Sequence, residues 1–373
     1  MVGSRARNSR EAASLVKNKL SPSLVASAAG SCILITGAGG FIGSALATAL
    51  AAGSPRLLVL LDNSERNLHE LTIALRQQTS APREAILGDV CDSALLAEIM
   101  ERHRPAVIFH AAACKHVPLM ETNPLAAMRT NAIGTWRLVQ TLRHAGKTSR
   151  AAQLLLISTD KAVKPASVMG ATKRVAELVL ERERSSEMTL QTVRLGNVLG
   201  SHGSVVPLFS QQIARCGPVT VTHPEAERYF FTLAETVKLI LCAAALTSGT
   251  FIPKLPAPLR ITELAERMIR EARDAGAAEV SVQFTAMRPG DKLREEFLND
   301  RELPEPTEDQ QLLRVRGPKI DGPKFDAEMV RLSEAVEQRQ LGRAMEVLRQ
   351  LVPEYYPSKV LQDLVHEASV AKS

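Results

Sequence analysis

The stretch ISTDKAVKPASVMGATK, residues 157–173, sets a carboxyl beside an amine, Asp160 next to Lys161, directly after an apolar run. Such a pair can divide acid–base work on one substrate. The acid protonates a departing hydroxyl while the amine takes a proton from the neighbouring carbon. The carboxyl must then keep its proton near neutral pH and the amine must shed its own. A raised pKa on Asp160 and a lowered one on Lys161 are therefore expected, and partial burial pushes each group that way by disfavouring its charged form. Adjacent opposite charges push both back, so the two groups are expected to stand apart until a substrate arrives. Thr159 can orient a substrate hydroxyl but is a poor base. Further on, Lys173 follows Met169 by four residues, and the Met thioether cannot take up a proton.

Groups with this task need a rigid strand end to hold them. From residue 31, short apolar runs alternate with helical periodicity. CILIT, RLLVLLD, EAILGD, AVIFHAA, QLLLIST and QTVRLGN read as buried parallel strands, and SALATALAAG and ATKRVAELVLERER as helices between them. Strict alternation implies right-handed crossovers and an α/β, doubly wound parallel sheet of the Rossmann kind, whose ligands sit at the carboxyl edge. QLLLIST brings Thr159, Asp160 and Lys161 to that edge. After residue 200 the rhythm breaks, and RITELAERMIREA and EMVRLSEAVEQRQLGRAMEVLRQL read as separate amphipathic helices. The expected organisation is a basic, flexible tail over 1–30 and a dinucleotide-binding domain over 31–200 that takes back segments of the later chain. A smaller C-terminal α/β substrate lobe follows over 201–357, then a C-terminal tail over 358–373.

ILITGAGGFIGSAL follows the first strand and opens a helix, with Gly37, Gly40 and Gly43 spaced for a tight turn, close approach to a pyrophosphate and close helix–sheet packing. The helix start offers backbone N–H groups to phosphates. Asp62 ends the next strand about twenty residues on, the position that supports a dinucleotide reading. An acidic residue there favours the ribose hydroxyls of NAD, while Arg66 nearby keeps NADP as an alternative. Asp89, in GDV, reads equally as an adenine-side contact and as a cap of the following helix.

With Lys173, the Thr159 region resembles the extended short-chain dehydrogenase/reductase family, in which a Ser or Thr, a Tyr and a Lys oxidise an alcohol; here Met169 stands at the Tyr position. TGAGGFIGS, HAAACKHVPLMETNP, STDKAVKPASVMGATK, VRLGNVLGSHGSVVPLF, VTVTHPEAERYFFT, RPGDKLREEFL and LVPEYYP, in that order, look like the polysaccharide-biosynthesis branch of nucleotide-sugar dehydratases. The named activity of that branch is UDP-N-acetylglucosamine 4,6-dehydratase, and Met at the Tyr position is a known variant within it. The resemblance implies C4 oxidation, elimination of water across C5 and C6, and hydride return to C6. Asp160 would be the acid and Lys161 the base, with Thr159 orienting the sugar and Lys173 holding the nicotinamide ribose. The C4 hydroxyl proton would go to Lys161 or to a water near Lys173.

The same resemblance adds Phe41, Ile42, Val90, Ala111 and Ala112 to the NAD-binding set. Lys115, His116, Asn197, Arg228 and Arg288 become the UDP-sugar side, with the diphosphate between the lobes. It also implies a homo-oligomer paired through two helices, one of them starting near Met169. Longer members carry membrane-spanning segments ahead of this domain, and none is read here. Cys114 replaces a usual Tyr and His202 a frequent Arg, both bearing on the preferred sugar. TFIPKLPAPLRITELA resembles a neighbouring branch with C5-inverting dehydratases and C4 epimerases. A UDP-sugar C4 epimerase, a C5-inverting dehydratase and a nucleotide-sensing protein without turnover are the alternatives.

Bulk composition excludes other classes. At 373 residues, 45% apolar and 23% charged, the chain can bury a full core. Only 3% aromatic residues argue against a stacking platform for nucleic acid. The net charge of +6 is concentrated in residues 1–30, where Arg5, Arg7, Arg10, Lys17 and Lys19 face Glu11 alone. Cys32, Cys91, Cys114, Cys216 and Cys242 form no CxxC pair, which fits a reduced, cytoplasmic setting and offers no zinc pattern; no other metal site is read among the histidines. No apolar stretch approaches the roughly 18 residues that a membrane span requires.

Overall fold

The computed structural model describes residues 29–146, 153–184, 188–201 and 203–370. Most of the basic leader, and His202, lie outside these residues. Strand β1 (Cys32–Thr36) is buried at every position because it is paired on both edges and covered on both faces. Its parallel neighbours are β2 (Leu57–Asp62), which passes the chain on to β3 (Arg83–Leu87), and β4 (Val107–His110). Beyond β4 lie β5 (Gln153–Thr159), β6 (Thr189–Leu195) and β7 (Gly249–Pro253), all parallel. Two antiparallel strands, β8 (Leu303–Pro306) and β9 (Leu312–Arg316), complete the sheet in the order β8-β9-β7-β6-β5-β4-β1-β2-β3. Strand order reverses between β1 and β4, so a crevice opens at their carboxyl ends.

EAILGD, expected as a buried strand, instead forms the β3 edge. It pairs only with β2, and Leu87 remains 57% exposed. An apolar run reports burial on average but not whether a second neighbour exists.

Helices α1 (Phe41–Ala51) and α2 (Glu65–Gln78) cover one face of the sheet, and α3 (Ser93–His103), α4 (Gly134–Gly146) and α5 (Val168–Glu183) the other. α6 (Leu233–Ala244) packs beside α1, placing Val237, Ile240 and Leu241 with Leu46 and Leu50. A separate small core, built from Phe209, Ile213, Val219, Val221, Ile261 and Ala265, makes the second lobe around α7 (Ile261–Asp274).

The late chain returns to the first domain. α8 (Gly322–Glu337) and α9 (Leu341–Leu351) do not belong to the lobe. Their Phe325, Met329, Leu332 and Leu348 share a core with Val175, Val179 and Leu180 of α5. α5 is thereby buried along most of its length, so the helix beginning near Met169, expected to pair subunits, is covered by its own chain. Residues expected as a C-terminal tail form the helix Lys359–Val370, anchored by the fully buried Leu361. For α8 and α9 the amphipathic pattern marked an apolar stripe without naming what it would meet.

A buried ion network ties these layers together beneath the carboxyl edge. Arg194 of β6, 1% exposed, donates to both oxygens of Glu177 on α5 and to both of Glu302, at 2.7–3.0 Å. Ser158 and Arg174 add hydrogen bonds to Glu177 at 2.6 and 2.9 Å. Desolvation opposes the Glu177 charge, but Arg194 and Arg174 outweigh it and hold the carboxyl down at about 2.

Candidate active site

The glycine turn after β1 is built for close approach. Gly37 has φ +66, and a Cβ on it would meet the Ala112 backbone nitrogen at 2.5 Å. A Cβ on Gly43 would lie 2.1 Å from the Gly37 carbonyl oxygen. Gly40 caps α1 with no side-chain hydrogen bond, and the first turn, starting at Phe41 and Ile42, holds no acidic residue. Asp62 grips this turn: Gly39 N–H donates to one carboxylate oxygen and Ser64 N–H to the other, both at 2.8 Å. Each oxygen keeps a lone pair for a hydroxyl donor. Arg66 points away and pairs with Glu70 at 2.9 Å. The residues present therefore fit a dinucleotide with unmodified ribose hydroxyls.

Around this turn, Ala111 N–H donates to the Thr36 carbonyl at 3.0 Å, and Val90 is buried. Asp89 is not a helix cap. Asp92 caps α3, while Asp89 accepts from Cys91 N–H at 2.9 Å and pairs with Arg129 at 2.6 Å. His110 lies fully buried between Thr36 and Thr135 hydroxyls at 2.6 and 2.9 Å, and burial pushes its imidazole down to about 3, so it is neutral. Among the described residues no group of three or more His, Cys, Asp or Glu is arranged to hold a metal ion.

β5 ends at Thr159 and the chain turns through Asp160–Ala162 in one 3₁₀ turn. Asp160 is fully buried; its Oδ1 accepts from the Thr159 hydroxyl at 2.8 Å and from Lys161 Nζ at 3.0 Å. Its Oδ2 is buried with no hydrogen-bond partner. Desolvation lifts the carboxyl above its ordinary value, against the pull of Lys161, which suits a group that holds a proton.

Lys161 departs from expectation twice. It touches Asp160 rather than standing apart, because the turn directs both side chains to one point. Its amine also lies above its ordinary value, not below. Burial pulls it down, but the Asp160 and Glu295 carboxylates outweigh burial. Glu295 Oε1 sits 3.3 Å from Lys161 Nζ, and Asn197 Oδ1 accepts from the same amine at 3.0 Å. Lys173 reaches the Ile157 carbonyl at 2.7 Å, and burial draws its amine down to about 8. Met169 is 3% exposed and packs in the α5 core.

The expected substrate residues divide. Asn197 and Arg228 join the Lys161 cluster, Arg228 Nε lying 3.7 Å from Glu295. Most of the Arg228 fork is committed to the Glu227, Lys292 and Leu293 carbonyls at 2.7–3.1 Å. Arg288 is 55% exposed and pairs with Asp291 at 2.8 Å. Lys115 and His116 are exposed on the loop after β4, and the His116 ring lies 2.5 Å from where a Cβ on Gly203 would stand. A cavity of about 710 Å³ between α3 and α4, lined in part by Met100, Trp136 and His144, contains none of these residues.

Sequence reasoning missed three side chains that organise the site. Besides Glu295, Asn131 holds both backbone groups of Cys114, at 2.8 and 3.0 Å, and donates to Thr172 of α5 at 3.1 Å. Glu121, 1% exposed, accepts from Val168 N–H at 2.8 Å and so fixes the start of α5. Glu121 and Glu295 lay within quoted blocks, but nothing in their spacing marked them.

Gly170 sets the distance between α5 and the Asp160 turn, since a Cβ there would lie 2.2 Å from the Lys161 carbonyl oxygen. Gly170→Ala is expected to displace that turn and cut turnover by about tenfold or more, on the rule that an ångström of misplacement is costly. NAD titration should remain near wild type, and equal turnover in the variant would refute the tight contact.

The fold and this site together define a chain of the extended short-chain dehydrogenase/reductase class. It belongs to the polysaccharide biosynthesis protein family, whose model matches residues 33–317. The capsular polysaccharide biosynthesis protein CapD of Staphylococcus aureus is 41% identical over 277 residues, covering 73% of this chain and 45% of that protein. The probable polysaccharide biosynthesis protein EpsC of Bacillus subtilis is 41% identical over 279 residues, 74% and 46% of the two chains. The chain thus spans about half the length of these curated relatives. A UDP-glucose 4-epimerase of Rickettsia rickettsii is 31% identical over 281 residues, 73% of this chain and 78% of that one. Among solved structures, Pen from Bacillus thuringiensis superposes with a TM-score of 0.70 at 28% identity, covering 78% and 90% of the two chains. The dTDP-glucose 4,6-dehydratase DesIV of Streptomyces venezuelae, solved with NAD bound, shares the fold with a TM-score of 0.62 at 24% identity, covering 71% and 87%. No helix among the described residues is long and apolar enough to cross a membrane.

Proposed function

We propose that the chain is an NAD-dependent nucleotide-sugar 4,6-dehydratase, a lyase acting on UDP-N-acetylglucosamine or a close UDP-amino sugar. The observation that carries this reading is Asp160, a buried carboxyl with one unpartnered oxygen, in contact with Lys161 at the end of β5. NAD, when bound, supplies oxidation at C4 and the later reduction at C6. Gly37, Gly40 and the α1 start at Phe41–Gly43 take its pyrophosphate, and Asp62 takes ribose hydroxyls. Asp89 and Val90 would serve the adenine side, and Ala111, Ala112 and Lys173 the nicotinamide ribose.

The ion pair needs one internal step before it can act. Passing the Lys161 proton over 3.0 Å to Asp160 makes a carboxylic acid and a free amine at once. The amine then removes the C5 proton, made acidic by the C4 ketone, while Asp160 protonates the C6 hydroxyl as it leaves as water. Lys161 later returns its proton to C5. The Thr159 hydroxyl is committed to Asp160 in the resting site and Lys161 must stay free for the C5 proton, so the C4 hydroxyl proton goes to a water beside Lys173 and from there restores the Asp160–Lys161 pair after turnover. Asn197, Lys115, His116, Arg228 and Arg288 form the sugar-nucleotide side, with Arg288 the more exposed cation for the diphosphate. Pairing into a homo-oligomer would use surfaces other than α5.

A UDP-sugar C4 epimerase is the second reading, favoured by the Rickettsia relatives so named. Epimerisation requires no acid at C6, and the Asp160–Lys161 contact supports elimination. Incubation with UDP-N-acetylglucosamine is expected to yield a 4-keto-6-deoxy sugar that absorbs in alkali; a C4 epimer without loss of water would replace the first reading by the second. NMR of the product formed in deuterated water then distinguishes retention from inversion at C5.

A further inference from the structure

We infer that Glu295 is a positioning residue of this reaction, a fixed negative charge beside Lys161 that holds the proton shared by Lys161 and Asp160 in the resting site and so sets the pH range over which the site is competent. The inference rests on the dehydratase reading for its kinetic consequence, not for its electrostatics.

Glu295 comes from the segment before β8, far from Lys161 in sequence, and is 5% exposed. Its Oε1 faces Lys161 Nζ at 3.3 Å and Arg228 Nε at 3.7 Å; its Oε2 lies 3.6 Å from Lys292 Nζ and makes no hydrogen bond. Lys161 in turn faces Asp160 from its own turn, Glu295 from the later segment and the more distant charge of Arg228. Two carboxylates thus flank one amine. They are not equivalent.

Burial works against the Glu295 charge, yet Lys161, Arg228 and Lys292 outweigh it and hold the carboxyl below its ordinary value. Asp160 stands above its own, because desolvation prevails there over the pull of Lys161. The shared proton therefore passes between Lys161 and Asp160 and does not rest on Glu295. A neutral amide at residue 295 would fill the same space, so packing does not account for the charge.

Glu295→Gln retains shape and removes that charge. The readout is competitive acetylation of the folded protein with acetic anhydride across alkaline pH, with Lys161 followed by peptide mass spectrometry. The labelling curve for Lys161 is expected to move to lower pH by about one unit or more, the scale for loss of an opposite charge at this distance. Below the midpoint this gives about tenfold more labelling. Glu295→Asp, which keeps the charge, should stay closer to wild type. With UDP-N-acetylglucosamine, both limbs of the kcat–pH profile should move to lower pH in Glu295→Gln, since the competent site carries one proton shared by Asp160 and Lys161 and Glu295 raises both groups.

Superimposed curves for folded wild type and Glu295→Gln would overturn the inference, as would a Gln curve raised equally at every pH, which reports accessibility alone. Labelling needs no sugar. Absence of any 4-keto product from wild type would therefore remove the dehydratase reading while leaving the charge relation tested separately.

Discussion

Asp160→Asn is expected to lower formation of 4-keto-6-deoxy product from UDP-N-acetylglucosamine by about 10²–10⁴-fold, the usual contribution of a placed general acid. The amide keeps the shape of the carboxyl and can still accept from Thr159 and Lys161. It cannot give a proton to a departing hydroxyl. Nor can it receive one from Lys161, so a single substitution removes the acid and blocks the step that frees the base. The effect should fall on kcat, with NAD titration and melting temperature read alongside to separate lost chemistry from lost fold. Release of product at the wild-type rate would remove Asp160 from the mechanism.

The second large effect lies beneath the site. Arg194→Met should destabilise the fold by about 3–5 kcal/mol near neutral pH, because breaking a buried pair leaves its partners uncompensated. Two carboxylates are involved: Arg174 reaches Glu177 at 2.9 Å but Glu302 only at 3.6 Å. Adding Glu177→Gln and Glu302→Gln should recover part of the loss, since it removes both stranded carboxylates while Arg174 keeps Glu354 at 3.9 Å.

The wild type should show the linked pH dependence. Glu177 is held at about 2 against an ordinary value of 4.5, so its stabilisation is complete above the unfolded value and is lost as pH falls from about 4.5 toward 2. In Arg194→Met the depression shrinks, and the gap to wild type should narrow in acid. Urea unfolding at neutral and acidic pH measures both. A gap independent of pH would show that packing alone, not charge, is at stake.

Much of the frame could be read from residue order. QLLLIST, CILIT and their companions are short, apolar and bounded by turns, and their alternation with helices is the pattern of a buried parallel sheet. Gly37 and Gly43 were legible because a Cβ at either would strike backbone, and Asp62 because a strand end must supply the acceptor. What escaped were relations between distant segments. The raised amine of Lys161 depends on Glu295, which local sequence could not place beside it. Asp160 followed the local rule because desolvation dominates a fully buried carboxyl. Lys161 broke it because a second carboxylate arrived from elsewhere. The edge position of β3 and the destination of α8 and α9 were hidden for the same reason, since periodicity records a buried stripe and not its partner.

The cover that α8 and α9 lay over α5 also has a bearing on biogenesis. Lys173 leaves the ribosome about 150 residues before Phe325 and Met329, so its helix must wait half-clad, with Val175 and Val179 open to water or to a chaperone. The cluster around Asp160 is thus framed by a segment synthesised well after it, and a nascent chain halted before residue 322 would carry those groups without the shell that orders them.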